Sequence, residues 1–386
     1  SWDIIFFLIW MMILVAELKE LGVFTWLLSR ALCLKNMSAK KFLVMLVFSS
    51  AILACIIDEV SSIIFMIMII LEMSDYFEIE PMPFIIASVL ATNIGSTGTV
   101  IGNPIGIFIA AKSGLTFEDF LTHSFPLMVV TTVILLFVLL ITLKKPLKDL
   151  EEKIKMYESN EFLVRLLAVP PEAKLKIGFF VLGVTLLAIS LHHRIEVFLD
   201  LKVNTVLLII PLISSAFVMM WRRHRARAYI SEGVEWWSIL FFIFLFAQSG
   251  ILAETGATRV VADKLMNLVG ESQVALTTLV FLGSGIVSSF LDNVVVVATL
   301  TPVIKDLVSL NQVSEMLWWV LLFGACLGGN LTIIGSTANI IAIGTLEKDR
   351  KMSISFSKWV KAAFVPTFVT MAAVLFFFIF IYKLIY

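Results

Sequence analysis

Long apolar runs alternate with short charged segments along the chain, and several of the longest runs carry polar residues at their centres. A transmembrane helix needs about 20 mainly apolar residues. Runs of that kind predict crossings at Asp3–Ala16 (reaching about Leu21), Phe84–Ala111, His123–Leu143, Ile177–Leu191, Val203–Trp221, Trp237–Ala253, Leu317–Thr345 and Ala362–Leu384. Two further runs, Phe42–Leu71 and Gln273–Val308, are too long for one simple helix. Asp58, Glu59, Ser61 and Ser62 interrupt the first, and Asp292 and Asn293 the second. Each reads as a re-entrant hairpin, two half-length helices meeting at a polar tip. Irregular backbone at membrane depth is tolerated only where protein buries it or a watery cavity meets it.

The pattern repeats at an offset of about 234 positions. Trp2, Phe6 and Phe7 fall on Trp237, Phe241 and Phe242; Leu18, Glu20 and Gly22 fall on Leu252, Glu254 and Gly256. Ser50, Asp58 and Val60 fall on Ser284, Asp292 and Val294, and Gly95, Thr99, Ile101 and Gly102 on Gly328, Thr332, Ile334 and Gly335. Five crossings separate the two copies, so the second starts on the opposite face and is inverted. Charge agrees. The segments Lys19–Lys41, Lys144–Lys176, Arg222–Arg227 and Lys348–Lys361 hold 22 of the 29 Lys and Arg residues and fall on one face. The positive-inside rule makes that face cytoplasmic. Ile177–Trp221 precedes the second copy and has no counterpart before Trp2, so an intact repeat is expected to carry two more N-terminal helices. No signal peptide is read at the start.

Composition supports a bilayer environment. Of 386 residues 60% are hydrophobic, and mean hydropathy is +1.02, against about 45–50% apolar in soluble chains. Lys plus Arg and Asp plus Glu both number 29, and no basic face points to nucleic acid. Cys33, Cys55 and Cys326 are dispersed, and His123, His192, His193 and His224 lack metal-ligand spacing, so neither a disulfide framework nor a structural zinc site is expected. No Walker motif, nucleophile elbow or HExxH motif is present, which leaves ATP drive and hydrolase chemistry without residues. Trp26, Trp221, Trp236, Trp237, Trp318, Trp319 and Trp359 read as interface anchors, and Lys305 as snorkelling. The linker Lys144–Lys176 reads as a solvated connector with an amphipathic helix around Leu150–Leu167.

Candidate chemistry sits at the hairpin tips and in two broken helices. Asp58, Glu59 and Asp292 are ionisable groups in membrane segments, which marks them as functional candidates; Asn293 stands beside Asp292 as Glu59 does beside Asp58. They can bind Na⁺ or carry a proton, and Asp292, with a neutral neighbour, is the favoured coupling residue. The same Asp positions also suit helix N-caps. The broken helices carry Asn93, Gly95, Ser96, Thr97, Gly102 and Asn103 in the first copy and Asn330, Thr332, Gly335, Ser336, Thr337 and Asn339 in the second. Gly, Asn and Pro are poor helix formers. An unwound centre frees carbonyls for a cation and presents a half-helix N-terminus to an anion. Close packing through small residues is the alternative reading. Candidate Na⁺ ligands are Asp58, Asn93, Asp292 and Asn330.

Ser289-Phe290-Leu291-Asp292-Asn293-Val294, the run Gly328 to Asn339, and Thr92-Asn93-Ile94-Gly95 with Ile101-Gly102-Asn103-Pro104 resemble signatures of the ion transporter superfamily. The likeness is to its arsenite-permease, P-protein and citrate-transporter-like group, related to sodium/proton antiporters and dicarboxylate/sodium symporters. It covers nearly the whole chain. It implies an all-α polytopic protein with a scaffold and a mobile transport domain. The symporters carry Ser-Asn-Thr at both tips; here Asp58-Glu59-Val60 and Asp292-Asn293-Val294 stand instead, and carboxylates repel a dicarboxylate.

The expected organisation is a scaffold helix over 1–33, a first transport half over 34–143, a cytoplasmic linker over 144–175, scaffold helices over 176–270 and a second transport half over 271–386. The expected function is secondary active ion transport across the inner (plasma) membrane, with Na⁺ or H⁺ coupled to a small ion such as arsenite, an oxyanion or an organic anion, or Na⁺/H⁺ exchange. An ion channel through the same site is the alternative; an enzyme is not expected. No cofactor beyond the coupling ion is implied. The partners are the small ion and the lipid bilayer, with a homodimer through the scaffold helices as a further candidate.

Overall fold

The computed structural model describes residues 2–23, 26, 38–156, 173–202, 205–234, 236–269, 272–309 and 315–385. These residues are almost wholly helical, and no strand occurs among them. In chain order the main helices are α1 (Trp2–Glu20), α2 (Ala39–Ile56), α3 (Glu59–Phe77), α4 (Met82–Gly95), α5 (Pro104–Ser113), α6 (Phe125–Thr142), α7 (Lys144–Met156), α8 (Ala173–Ser190), α9 (Thr205–Trp221), α10 (Trp236–Glu254), α11 (Ala257–Val269), α12 (Gln273–Ser288), α13 (Asn293–Ser309), α14 (Met316–Gly328), α15 (Thr337–Arg350) and α16 (Phe356–Phe376). Cys33 and residues 157–172, which include part of the helix expected over Leu150–Leu167, lie outside the described residues.

The chain forms two compact units. The first comprises 1–33, 114–119 and 161–248, and the second 34–113, 120–160 and 249–386. In the first unit α9 packs against α1 and α8. The Thr185 and Ser214 hydroxyls join α8 to α9 at 2.7 Å, and Glu196 Oε1 accepts the Val206 backbone N–H at 2.9 Å, closing the start of α9. Glu17 on α1 is fully buried, and a buried charge needs a partner. Arg222 supplies it, with Nε 3.8 Å from Glu17 Oε1 and Nη2 2.8 Å from Glu20 Oε1. Arg225 adds a second contact to Glu20 at 3.2 Å. Burial, reinforced by Glu17 and Glu20, holds the Tyr229 phenol above the usual tyrosine range, so it stays neutral beside them.

The second unit contains both hairpins. Ser38 caps α2 through Lys41 N at 3.3 Å, and Glu151 from α7 accepts the Ala39 N–H at 2.8 Å. The chain reverses at Ile57, and Asp58 caps α3 by accepting from Ser61 N at 2.7 Å. In the second hairpin Ser272 caps α12, and Asp292 Oδ1 accepts from Val294 N at 2.9 Å at the start of α13. The arms of the first hairpin have 18 and 19 residues, and each is long and apolar enough to cross a membrane alone. They are therefore longer than the half-length expected. Two arms return the chain to its starting face whether they stop midway or not, so their length does not enter the count of crossings. Inside α13, Pro302 lacks the N–H that the Ala298 carbonyl needs, and Ser249 Oγ on α10 donates to that carbonyl instead, at 2.6 Å.

The hairpins pack on the broken helices in matching register. Gly95 on α4 lies against the backbone of Ala51 on α2, and Gly328 on α14 against the backbone of Gly285 on α12. An added Cβ at either glycine would enter the facing main chain. Gly95→Ala and Gly328→Ala are each expected to lower the thermal midpoint of the detergent-solubilised protein, by the equivalent of about 1–3 kcal/mol of overpacking. Gly283→Ala, which meets open space, should leave the midpoint unchanged.

Candidate functional site

Both broken helices are interrupted because their sequence cannot carry a helix through. After α4 the chain runs through Ser96 to Asn103 in turns and bends, all of it buried, before Pro104 opens α5. Asn103 is the cap, its Oδ1 accepting from Gly106 N at 2.8 Å. Pro at the first helical position fits a helix start. In the second copy a 3₁₀ turn, Gly329–Leu331, leads to Ser336, which caps α15 by accepting from Ala338 N at 3.1 Å. Thr99 Oγ1 donates to the Cys55 carbonyl at the end of the first hairpin arm, at 2.6 Å. Thr332 Oγ1 makes the equivalent bond to the Ser289 carbonyl. Each hairpin tip thus lies level with a helix break. α4 and α5 on either side of the first break extend about 21 and 15 Å at 1.5 Å per residue, so the break lies deep in the span.

Two polar clusters form at this depth. The first is closed. Asn93 Nδ2 donates to Asn330 Oδ1 at 2.7 Å and to Asn339 Oδ1 at 2.9 Å, and Asn93 Oδ1 accepts from Ser336 Oγ at 2.9 Å. Asn339 Nδ2 donates to the Gly329 and Thr332 carbonyls at 2.8 and 2.7 Å. The Asn330 carbonyl accepts the Trp359 indole N–H at 3.2 Å. All of these asparagines are buried.

The second cluster is open. Glu59, in the first turn of α3, is 2% exposed, and its Oε2 has no hydrogen-bond partner. Its electrostatic neighbours are the Asp292 and Asp58 carboxylates and the Ser96 hydroxyl. Asn293, at the matching position in α13, is fully buried and has an unpartnered Oδ1. Asn103 Nδ2 donates to Ser96 Oγ at 2.9 Å and points at Cys326 Sγ at 3.6 Å; Asn293 Nδ2 lies 4.0 Å from the same sulfur. Asp292 differs from Glu59 in being used at both oxygens: Oδ1 caps α13, and Oδ2 accepts from Thr337 Oγ1 at 2.7 Å. The N-termini of α3, α5, α13 and α15 meet this region, and their partial positive charge favours the carboxylates.

The structure gathers Glu59, Ser96, Asn103, Asp292, Asn293 and Thr337 in the open cluster and Asn93, Asn330, Ser336 and Asn339 in the closed one. Asp58 is at the first tip as the α3 cap. Thr97 donates to the Ile94 carbonyl and accepts from Ser124 Oγ, which fixes the turn. Gly95, Gly102 and Gly335 pack against the main chain of Ala51, Ser96 and Gly329, and Thr332 ties the break to the second tip. Sequence reasoning left out Cys326, although the repeat register puts it opposite Asn93. Trp359 is not an interface anchor: it is fully buried under Asn330. Trp318 and Trp319 are buried as well, Trp319 edge-on to Phe120 at 4.8 Å.

Apolar helices, hairpins with acidic tips and two buried helix breaks define a multi-pass membrane transport protein. A family model described as citrate transporter matches residues 1–256 and 205–386. An uncharacterized transporter of Mycobacterium tuberculosis is 30% identical over 380 residues, covering 96% of this chain and 84% of its own. A 46 kDa membrane protein of Mycobacterium leprae is 29% identical with the same coverage. The P protein of Homo sapiens is 28% identical over 407 residues, covering 88% of this chain and 48% of its own. The chain belongs to the citrate transporter family, a member of the permease group its motifs resemble.

Asn93→Ala would orphan the Asn330, Asn339 and Ser336 groups, at about 1–3 kcal/mol for each buried group left unsatisfied. The variant is expected to melt at lower temperature by the same margin in Na⁺ and in Na⁺-free buffer. A loss confined to Na⁺-dependent stabilisation would instead make Asn93 an ion ligand.

Proposed function

We propose that the protein is a secondary active ion transporter of the cell inner (plasma) membrane, in which Na⁺ or H⁺ held at the hairpin tips drives a small ion across by alternating access. Glu59 carries the reading. It is a buried carboxylate at a tip, with a free oxygen and two other carboxylates as neighbours. An ionisable group in a membrane segment costs about 2.5–3.5 kcal/mol on insertion scales. A bound Na⁺ or proton offsets that cost, and its release restores it, so occupancy and conformation are coupled.

Among the described residues, none of the partners of Glu59, Asp292, Asn103, Asn293 or Cys326 is Lys, Arg or His. A free multivalent anion would find carboxylates and, among the described residues, no cationic side chain in this cluster, the partial charges of the helix N-termini being already matched to those carboxylates. The cargo is therefore a small ion of low charge, arsenite, an oxyanion or a monovalent organic anion, or a cation exchanged for H⁺. The unit holding both clusters is the moving transport domain. The unit with the buried Glu17–Arg222 pair is the scaffold and the face for a homodimer. Matching contacts at Gly95 and Gly328, and at Thr99 and Thr332, support two repeats, inverted by the odd number of crossings between them.

Proteoliposomes under imposed Na⁺ and pH gradients test the function. Glu59→Gln should reduce gradient-driven uptake of Na⁺, arsenite or a carboxylate at least about tenfold, or 1.4 kcal/mol, with insertion unchanged. Asp292→Asn should retain most of the flux, because the Asn oxygen can accept the Val294 N–H and its amide N–H can donate to the Thr337 hydroxyl, which reverses that bond without losing it. If Asp292→Asn abolished coupling and Glu59→Gln did not, the coupling role would pass to Asp292. Wild-type flux and pH dependence in both variants would remove it from both.

The topology has its own test. Single cysteines introduced in 144–176 and in 222–227 should resist a membrane-impermeant thiol reagent added to intact cells and react after permeabilisation. Strong labelling of either loop from outside would reverse the orientation.

A further inference from the structure

We propose that the Cys326 thiol is part of the ion-holding chamber with Glu59 and Asn293, and that it tilts the chamber toward soft, polarizable monovalent cations. The role of the chamber in transport rests on the reading above; the binding does not. Cys326 sits on α14 one turn before the second break and is fully buried. It occupies the repeat position of Asn93, and the difference between the two side chains decides the state of each cluster. Asn93 uses all its polar atoms and closes its network. A thiol is a weak donor and a weak acceptor, so Cys326 closes nothing. Around it the Glu59 carboxylate and the Asn293 carboxamide each keep one oxygen without a partner, both in residues at most 2% exposed.

Leaving such groups buried and unpaired is costly, a cost that an occupant removes. The free groups are acceptors, one of them a carboxylate, with Asp58 and Asp292 nearby and, among the described residues, no cationic partner on Glu59, Asn293 or Cys326. The occupant is therefore a cation. Two hard oxygens and one sulfur make a mixed ligand set, and sulfur favours soft ions over hard ones.

The test is equilibrium binding of Na⁺, and separately of the soft ion Tl⁺, to the full chain in proteoliposomes. Wild type should bind both, and Glu59→Gln should weaken both by about tenfold or more. Cys326→Ser, which exchanges sulfur for oxygen, should lower Tl⁺ affinity several-fold relative to Na⁺. Cys326→Ala should lose the Tl⁺ preference in the same way and serves if the Ser variant melts early. An unchanged Tl⁺/Na⁺ ratio in a folded variant, or no binding of either ion to wild type, would overturn the proposal. Gradient-driven flux in the same vesicles separates it from the transporter reading. Flux with an unchanged ratio removes the thiol and keeps the transporter; a shifted ratio without flux keeps the chamber and removes the transporter.

Discussion

Backbone that leaves the helix at membrane depth must find its hydrogen bonds inside the protein, and the second unit is organised around that constraint. The residues from Ser96 to Asn103 are buried throughout. One of their carbonyls, that of Thr97, is met by a side chain brought from elsewhere, Ser124, and the break in turn supplies Asn103 to the Gly106 N–H of the next helix. The second break is served by Asn339, which reaches the Gly329 and Thr332 carbonyls, and by Trp359 on the Asn330 carbonyl. Hairpin and broken helix can supply one another only if they approach closely. That is why Gly95 and Gly328 stand where the main chains of Ala51 and Gly285 leave no room for a side chain.

The two copies share this backbone solution and differ in what they do with it. Thr99 and Thr332 tie each break to its hairpin in the same way. At the facing position Asn93 completes a network while Cys326 does not, and at the tips Glu59 stands opposite Asn293. Matching backbone contacts thus carry one satisfied cluster and one unsatisfied cluster. Satisfied buried networks rigidify, and partly satisfied ones leave costly unpaired groups.

The presence of the tips and breaks was legible in the sequence, because Asp, Glu, Asn and Gly inside apolar runs are costly enough to need a reason. Their register was legible too, since Asp58 and Asp292, and Gly95 and Gly328, align at offsets of 234 and 233. Which acid faces inward was not. That depends on where each helix begins: the residue just before the first turn of α3 spends its carboxylate on Ser61 N, and the next one, Glu59, turns into the protein. A shift of one position would exchange their roles, and no propensity resolves one position. Asp292, favoured in sequence for its neutral neighbour, is held at both oxygens for the same reason. Trp359 misled because a Trp near a span end has two stable uses, at the interface or under a carbonyl that needs a donor. The length of the first hairpin arms was missed because composition marks where a run is broken and not how deep its ends reach.

The closed network also limits how the site can move. Asn93 belongs to the first broken helix, and Asn330, Ser336 and Asn339 to the second, so their bonds cross between the halves of one unit. Pulling the halves apart would break these bonds where no water replaces them, at about 1–3 kcal/mol for each orphaned group. A motion that keeps Asn93 with its partners avoids that cost altogether. The open cluster gains in the same comparison. Among the described residues Glu59, Asn293 and Cys326 meet one another only through the 4.0 Å amide–sulfur contact, so the proposed binding of an ion there would leave the brace beside them intact. Under the alternating access proposed above, the unit would keep this shape and carry the site as a whole.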